Sequence, residues 1–354
     1  MKQDYILPFF WQHGELEEKL REYMKIINES NISAVCVESR PHPDFCGEKW
    51  WKDLEVILDE ARKRDMRVWI LDDSHFPTGF ANGAVEKAPL ELRRQSVYTY
   101  SKEIKGKTHI NIDLNKTGKS IKMPLLSKIM NNSDAKGSYF DDDELLAVQV
   151  TDKDNKIKEI PFHKAGSKIS IDLPERVKKV HVTYLSRNLG IHRKYINMLD
   201  KESCKILIDA VYEPHYAHFK EDFGTTIAGF FSDEPEIGNG YYFSNEIRLG
   251  NNVDQPWSRE LDKKLREHLG ENYKSRLVLL WDNEADAEDR EFVRYTYMDQ
   301  VTRLVQKNFS EQIGSWCEAH KVEYIGHMIE DNNQHSRTGA SLGHYFRGLA
   351  GQHM

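Results

Sequence analysis

The chain has 354 residues, and its 50 Lys and Arg against 57 Asp and Glu give a formal net charge of −7. This mild acidity argues against partners such as nucleic acid or an anionic membrane. Hydrophobic residues make up 39%, yet no run approaches the ~18 apolar residues of a membrane span. The N-terminal sequence MKQDYILPFFWQ lacks a signal-peptide cleavage pattern, and the four cysteines lack metal-ligand spacing. We therefore predict a cytoplasmic protein with free thiols.

The first ninety residues alternate between short apolar runs and helical patterns. The runs lie at 5–11, 33–38 and 67–71, and the segments between them place apolar residues on one helical stripe. Buried strands joined by amphipathic helices indicate a parallel sheet with right-handed crossovers. The first turn, QHGELEE, has three acids and one glycine, which argues against a nucleotide-phosphate loop. We predict an α/β fold of the (β/α)₈ TIM-barrel type.

From about residue 92 the pattern changes to two-residue alternation. The segments VYTYSKEI, HINIDL, LLAVQVTDKDNKIKEI, KISIDL and KKVHVTYLSR predict antiparallel strands, with a hairpin turn at Asp154-Asn155. The sequence thus predicts three parts: 1–91 as the first part of the barrel, 92–190 as a β-rich insertion, and 191–354 as the continuation of the barrel.

The alternation of strands and helices resumes after the insertion. Helices are predicted at 200–220, 257–280 and 287–319, and strands at 226–232 and 322–328. The total is five barrel strands, whereas a closed barrel needs eight, or on the order of 100 further residues. We therefore predict that the chain is a fragment with a partial barrel.

Active-site residues of such a barrel lie at the carboxyl ends of its strands. Acids and aromatic rings at that edge suit a carbohydrate, because carboxylates bind its hydroxyls and rings stack on its C–H faces. Two of the acids could serve as general acid and base across a glycosidic bond. The candidates that follow the predicted strands are Trp11, Glu38, Arg40, Asp72, Asp73, Phe76, Asp233, Glu234, His327 and Glu330.

Each candidate also has a purely structural interpretation. Acids after a strand commonly cap the next helix, so Asp72 and Asp73 are as compatible with capping as with function. A lone histidine such as His327 is more often a satisfied buried residue than a ligand. Trp50 and Trp51 lie on a helical stripe, which predicts packing rather than a sugar platform. The pair before Pro235, Asp233 and Glu234, is the sharpest signal, because proline ends the apolar strand there.

Two segments of the chain are GEKWWKDLEVILDEARKRDMRVWILDDSHFPTGFANG (47–83) and IAGFFSDEP (227–235). The first resembles the start of the catalytic barrel of glycoside hydrolase family 106, the α-L-rhamnosidase-like proteins, and the second resembles that family's "GFFTDEP". A third segment, at 308–331, resembles a later helix and strand. Here Asp72-Asp73 replaces the family's Asp-Glu, and Phe76 replaces its usual Trp; both changes concern the pocket wall and hence the sugar.

The resemblance implies an inverting glycosidase acting on a glycoside or oligosaccharide. It implies Glu234 as the acid, Glu330 as the base and, in some members, a calcium ion near the substrate. The other candidates would hold sugar hydroxyls or orient these two groups. Two alternatives remain open: a metal-dependent barrel lyase or isomerase using the same carboxylates, and a non-catalytic carbohydrate-binding remnant. The sugar, the linkage and the oligomeric state are not predicted.

Overall fold

The computed structural model describes residues 6–118, 140–190, 192–237, 249–328 and 338–353. The strands in these ranges are β1 (Phe9–Trp11), β2 (Ala34–Glu38), β3 (Arg67–Leu71), β4 (Gln95–Glu103), β5 (His109–Asp113), β6 (Glu144–Asp152), β7 (Ile157–Glu159), β8 (His163–Ala165), β9 (Lys168–Asp172), β10 (Val177–Ser186), β11 (Ile227–Ser232), β12 (Gln255–Trp257) and β13 (Glu323–Gly326).

The central sheet contains five parallel strands in the order β1-β2-β3-β11-β13. The five strands predicted from apolar runs are thereby confirmed, and so is the mixed α/β class. The spatial order follows the chain order, without the reversal found in a doubly wound sheet. Within the described ranges the sheet stays open, with β1 and β13 at its edges, so a closed barrel is not observed.

The helices connect these strands on one face of the sheet. Glu48–Arg64 begins after Gly47 and buries Trp50, Leu54 and Ile57 because they recur on one stripe. The α-helices of the described residues are Glu17–Glu29, Glu48–Arg64, Ala84–Lys87, Leu114–Thr117, Lys201–Leu207, Glu213–Phe219, Arg259–Leu269, Tyr273–Arg276, Ala287–Val305, Glu311–Ala319 and Tyr345–Gly348. Two π-helical segments, Ile208–Tyr212 and Gln306–Ser310, continue neighbouring helices, so the helices predicted at 200–220 and 287–319 are confirmed as composite.

Alternation along the strands gives the sheet two apolar faces. Val35, Val37, Val68 and Ile70 belong to the main core with the helices. The opposite face carries a separate small cluster, in which residues of four strands meet: Cys36, Trp69, Leu71, Ala228, Phe231 and Ile325. Burial on both faces explains why these strands read as continuous apolar runs in the sequence.

The predicted β-rich segment forms antiparallel sheets. One has the order β12-β4-β10-β6-β7, and a smaller one has the order β5-β9-β8. The hairpin predicted at Asp154-Asn155 is confirmed, because Asn155 has a φ of 60° between the paired strands β6 and β7. Strand β12 was not predicted, and it adds a strand from outside the range 92–190 to the larger sheet.

Trp50 is a core residue, as predicted. Its indole Nε1–H donates to Nε2 of His215 at 2.9 Å, while Nδ1 of His215 lies 2.6 Å from the Val211 carbonyl oxygen. Burial lowers the pKa of His215 to about 4, which keeps the ring neutral as this arrangement requires. None of the helices in the described ranges combines the length and apolar composition needed to cross a lipid bilayer.

Candidate functional site

The predicted site residues that the structure describes follow the carboxyl ends of the parallel strands. Trp11 ends β1, Glu38 ends β2, and Asp233 follows β11 directly. Since parallel strands present their carboxyl ends at one edge, these side chains share that edge. Glu330, the predicted base, lies outside the described residues.

An ion-pair chain joins the ends of β2 and β11. Arg40 donates from Nε to Oε1 of Glu38 at 2.5 Å and from Nη2 to Oε2 at 2.6 Å. The same Nη2 donates to Oδ2 of Asp233 at 2.7 Å. Glu38 is 1% exposed, so the guanidinium is needed to compensate a buried carboxylate. The guanidinium carbon of Arg40 lies 5.4 Å from the ring centroid of Phe76. This cation–π contact connects the loop after β3 with the ion pairs between β2 and β11.

Asp233 is held as a carboxylate. Burial alone would raise its pKa, but hydrogen bonds and charges from His327 and Arg40 outweigh burial and lower it. His327 Nδ1 lies 3.7 Å from Oδ1 of Asp233, and its side chain is 50% exposed. The structure thus brings Arg40, Asp233 and His327 together at the edge, and the histidine is not the buried residue that its isolated position also allowed.

Asp72 is fully buried among hydroxyl groups. Oδ1 accepts from Thr78 Oγ1 at 2.7 Å, and Oδ2 accepts from Tyr212 at 2.7 Å and from Ser232 Oγ. Burial raises its pKa to about 7, even though all three hydroxyl donors favour the carboxylate. Tyr324 donates to Ser232 at 3.0 Å and extends the network to β13.

Asp73 organises the loop that follows β3. Its Oδ2 accepts the backbone N–H groups of Gly79 and Ala81, both at 2.8 Å, and its Oδ1 accepts those of Ser74 at 2.8 Å and Asn82 at 2.9 Å. The side chain is completely buried, and burial raises its pKa above the usual value. All of these partners lie within its own loop, which is the geometry of a loop-capping carboxylate.

Tyr195 connects the loops that follow β3 and β11. Its hydroxyl donates to the carbonyl oxygen of Thr78 and accepts the N–H of Glu236 at 3.0 Å. Thr78 also exchanges hydrogen bonds with Asp233, through Thr78 N to Asp233 O and Asp233 N to Thr78 Oγ1, both at 2.9 Å. Because Tyr195 is completely buried, these bonds fix the relative position of the two acidic loops.

Behind these loops lies a buried cluster of opposite charges. Arg94 Nη1 lies 3.3 Å from Oε1 of Glu236, and Arg94 Nη2 lies 3.6 Å from Oδ2 of Asp254. Ser96 donates to the same Asp254 oxygen at 2.6 Å. Arg94 precedes β4, so the cluster ties the antiparallel sheet to the loop that carries Glu234.

Aromatic side chains are accessible at the same edge. Trp11 is 53% exposed and Phe76 39% exposed, although both are large apolar groups that usually avoid water. Glu234 is half-buried and has a φ of 47°, the left-handed region that a non-glycine residue rarely adopts. Such local strain persists where surrounding contacts impose it, and it is concentrated at functional sites.

The described carboxylates offer little to a metal ion. No group of three or more His, Cys, Asp or Glu side chains with metal-binding geometry occurs in the described part of the chain. Glu38 and Asp233 are engaged by Arg40, and Asp73 by backbone N–H groups. The described residues therefore do not fit the calcium ion that the sequence resemblance implies, and no chemical step is assigned to one.

Sequence reasoning missed Tyr195, Thr78 and Tyr212. Tyr212 lies in the π-helical segment Ile208–Tyr212, where one extra residue per turn shifts side chains away from regular helical spacing. The only available signal was that tyrosine and threonine occur near acids, which is too common to be useful. Tyr212 binds Asp72, which is 140 residues away in sequence, and Tyr195 binds Thr78, which is 117 residues away.

No protein-family model matches the chain, and no curated protein does. Among solved structures, a rhamnosidase from Novosphingobium sp. PP1Y is similar at 9% identity and a TM-score of 0.48, over 92% of this chain and 46% of that one. A β-galactosidase from the psychrophilic Marinomonas ef1 is similar at 10% identity and a TM-score of 0.34, over 91% of this chain and 37% of that one. The chain thus spans less than half the length of either structure.

Proposed function

We propose that this chain carries the catalytic domain of a glycoside hydrolase with a (β/α)₈-type barrel. The observation that carries the proposal is the position of Glu234, half-buried and backbone-strained directly beyond β11, beside a carboxylate that Arg40 and His327 keep ionised. Five parallel strands in chain order support the barrel, because its consecutive strands are neighbours.

In the proposed mechanism Glu234 protonates the leaving glycosidic oxygen and Glu330 activates a water molecule on the opposite face of the sugar. The exposed rings of Trp11 and Phe76 stack on the sugar. The chain of Glu38, Arg40, Asp233 and His327 binds its hydroxyls. Asp72 and Asp73 hold the loops around the site in place, since their carboxylate oxygens already accept hydrogen bonds from protein donors. The sequence resemblance supports α-L-rhamnosides as substrates and inversion as the outcome.

The decisive experiment separates proton donation from binding. The wild-type chain should hydrolyse an aryl α-L-rhamnoside, and Glu234→Gln should lower kcat at least 10²-fold on a phenyl leaving group. On a 2,4-dinitrophenyl leaving group, which needs no proton, the loss should be less than tenfold. Glu271→Gln is the control, because Glu271 is an exposed surface acid, and it should retain full activity. Equal losses on both leaving groups, or none on either, would contradict the role of Glu234.

The two alternatives give different results in the same assays. A carbohydrate-binding remnant would bind the rhamnoside without turnover at any leaving group. A metal-dependent lyase or isomerase would lose its activity in chelator and would cleave no aryl glycoside. For a hydrolase, the anomer formed first, followed by proton NMR, distinguishes inversion from retention.

A further inference from the structure

A cavity lies along the helix Ala287–Val305. Its volume is about 680 Å³, within the range of small-molecule sites. One stripe of the helix, including Arg294, Tyr295 and Asp299, forms one wall, and His344 and Arg347 form another. None of its described lining residues belongs to the site at the carboxyl edge of the parallel sheet. We call this cavity the Tyr295 groove.

Hydrogen bonds between its walls hold the groove open in a defined shape. Arg347 Nη1 donates to Oδ1 of Asp299 at 2.7 Å, and Thr302 Oγ1 donates to the Leu342 carbonyl oxygen at 2.6 Å. On the other side, Leu249 N donates to the Gly339 carbonyl oxygen at 2.9 Å. The groove is therefore preorganised, and ligand binding would not have to order its walls.

Tyr295 is an aromatic platform on a rigid element. Tyr295 is 71% exposed, while its helix neighbours Thr296, Tyr297 and Met298 are buried and fix the backbone. A flat aromatic face beside polar groups that are already oriented is the arrangement that binds a sugar ring.

Arg294 gives the groove a positive charge that no salt bridge within the described residues neutralises. Its Nε donates to the Leu279 carbonyl oxygen at 2.9 Å, and its Nη2 donates to Oδ1 of Asn283 at 2.8 Å and to the Asp282 carbonyl oxygen at 3.4 Å; all three acceptors are neutral. Among the described residues, no carboxylate lies within ion-pair distance of Arg294, whereas Asp299 pairs with Arg303 and Arg347 and Glu291 pairs with Arg290. Glu291 and Asp282 attract the Arg294 guanidinium electrostatically but form no salt bridge with it, so the guanidinium remains available to pair with an anionic ligand, above all a planar carboxylate.

We propose that the Tyr295 groove binds an acidic oligosaccharide, with a sugar ring on Tyr295 and a uronate carboxylate at Arg294. The choice of a saccharide rests on the proposed function, whereas the choice of an acidic one rests on Arg294. The groove would then hold part of a glycan chain.

The test uses trigalacturonic acid and its neutral, carboxyl-reduced counterpart as probes, with binding to the intact chain measured by calorimetry. The acidic probe should bind at least tenfold more tightly at low salt, and the preference should shrink as salt is added. Tyr295→Ala should weaken binding of both probes at least fivefold. Arg294→Gln should abolish the preference. Arg176 is an exposed arginine directly before β10, so Arg176→Gln should change neither the affinities nor the preference.

Equal affinity for the two probes would overturn the proposal. An unchanged affinity of the Tyr295→Ala variant would also overturn it, and so would tighter binding of an acidic peptide such as hexaglutamate than of trigalacturonic acid. Should Arg294→Gln fail to fold, Tyr295→Ala and the salt dependence decide the question alone. Hydrolysis of an aryl rhamnoside without binding in the groove would refute only this inference. Binding in the groove without hydrolysis of any glycoside would refute only the proposed function.

Discussion

The hydroxyl of Tyr195 donates to the Thr78 carbonyl oxygen in the loop after β3 and simultaneously accepts the Glu236 N–H in the loop after β11. One buried oxygen thus spaces the two acidic loops of the candidate site. Tyr195 itself follows the antiparallel sheet in sequence, so residues outside the parallel sheet set the geometry at its edge.

Removing this oxygen should affect both stability and activity. Tyr195→Phe leaves a buried N–H and a buried carbonyl without a partner, and the free energy of unfolding should fall by about 1–3 kcal/mol. The loops would also relax, so kcat on an aryl glycoside should fall more than KM rises. Urea unfolding and steady-state kinetics measure the two effects.

Tyr184→Phe is the matched control. That buried hydroxyl pairs with Thr117 Oγ1 at 2.6 Å, on the side of the antiparallel sheets rather than between the acidic loops. A similar loss of stability with unchanged kinetics is expected. If both variants lowered kcat equally, Tyr195 would have no special positioning role.

The Glu38–Arg40 pair should be strongly coupled because Glu38 is buried. Arg40→Gln leaves the buried Glu38 carboxylate without its guanidinium partner and should lower the free energy of unfolding by about 3–5 kcal/mol. Adding Glu38→Gln should recover part of that loss, since the uncompensated charge is then gone. A double-mutant cycle by chemical unfolding measures the coupling.

Arg176 offers a comparison with the same chemistry at the surface. Its Nη2 donates to the two carboxylate oxygens of Asp154 at 3.2 and 3.3 Å, and the two side chains are 63% and 62% exposed, so Arg176→Gln should cost no more than about 1 kcal/mol. Comparable losses for the two arginines would show that burial of Glu38 does not dominate.

Asp72 should make stability depend on pH. Its folded-state pKa of about 7 lies above the ordinary value of 3.8, so the native state binds the proton more tightly than the unfolded chain. This contribution is fully present below pH 4 and is lost as the pH rises through 7; at 1.36 kcal/mol per unit it is on the order of 4 kcal/mol. Asp72→Asn removes it, so the difference in unfolding free energy between wild type and variant should change with pH from 4 to 8. Parallel curves would show that the carboxyl titrates normally.

Asp73 should be needed for folding of its loop. Asp73→Ala removes the acceptor of four backbone N–H groups, and we expect a loss of about 3 kcal/mol or more, because buried donors lose their partner. Asp152→Ala removes a carboxylate that accepts two N–H groups at an exposed hairpin, at 2.8 and 3.0 Å, and should cost about 1 kcal/mol because water replaces it. Thermal unfolding compares the two, and a smaller effect at Asp73 would contradict the capping role.

The candidate site was only partly predictable. The rule that functional residues follow parallel strands located Glu38, Arg40 and Asp233, and the structure joins them in one ion-pair chain. It could not rank Asp72 and Asp73, because adjacent residues with the same side chain differ only in their surroundings. Asp72 lies among hydroxyl groups from its own loop, from β11 and from the π-helical segment Ile208–Tyr212, whereas Asp73 lies among the N–H groups of its own loop.

The sequence by itself determined the five parallel strands, the helices between them and the antiparallel segment, because hydrophobic periodicity is a local property that burial imposes on each element. Only the tertiary structure decided which acids are buried and which face solvent, and that Tyr195, Tyr212 and Arg94 bind them. Those contacts depend on distances between loops far apart in the chain, and a hydrogen bond shorter than about 3.2 Å tolerates little error in such distances.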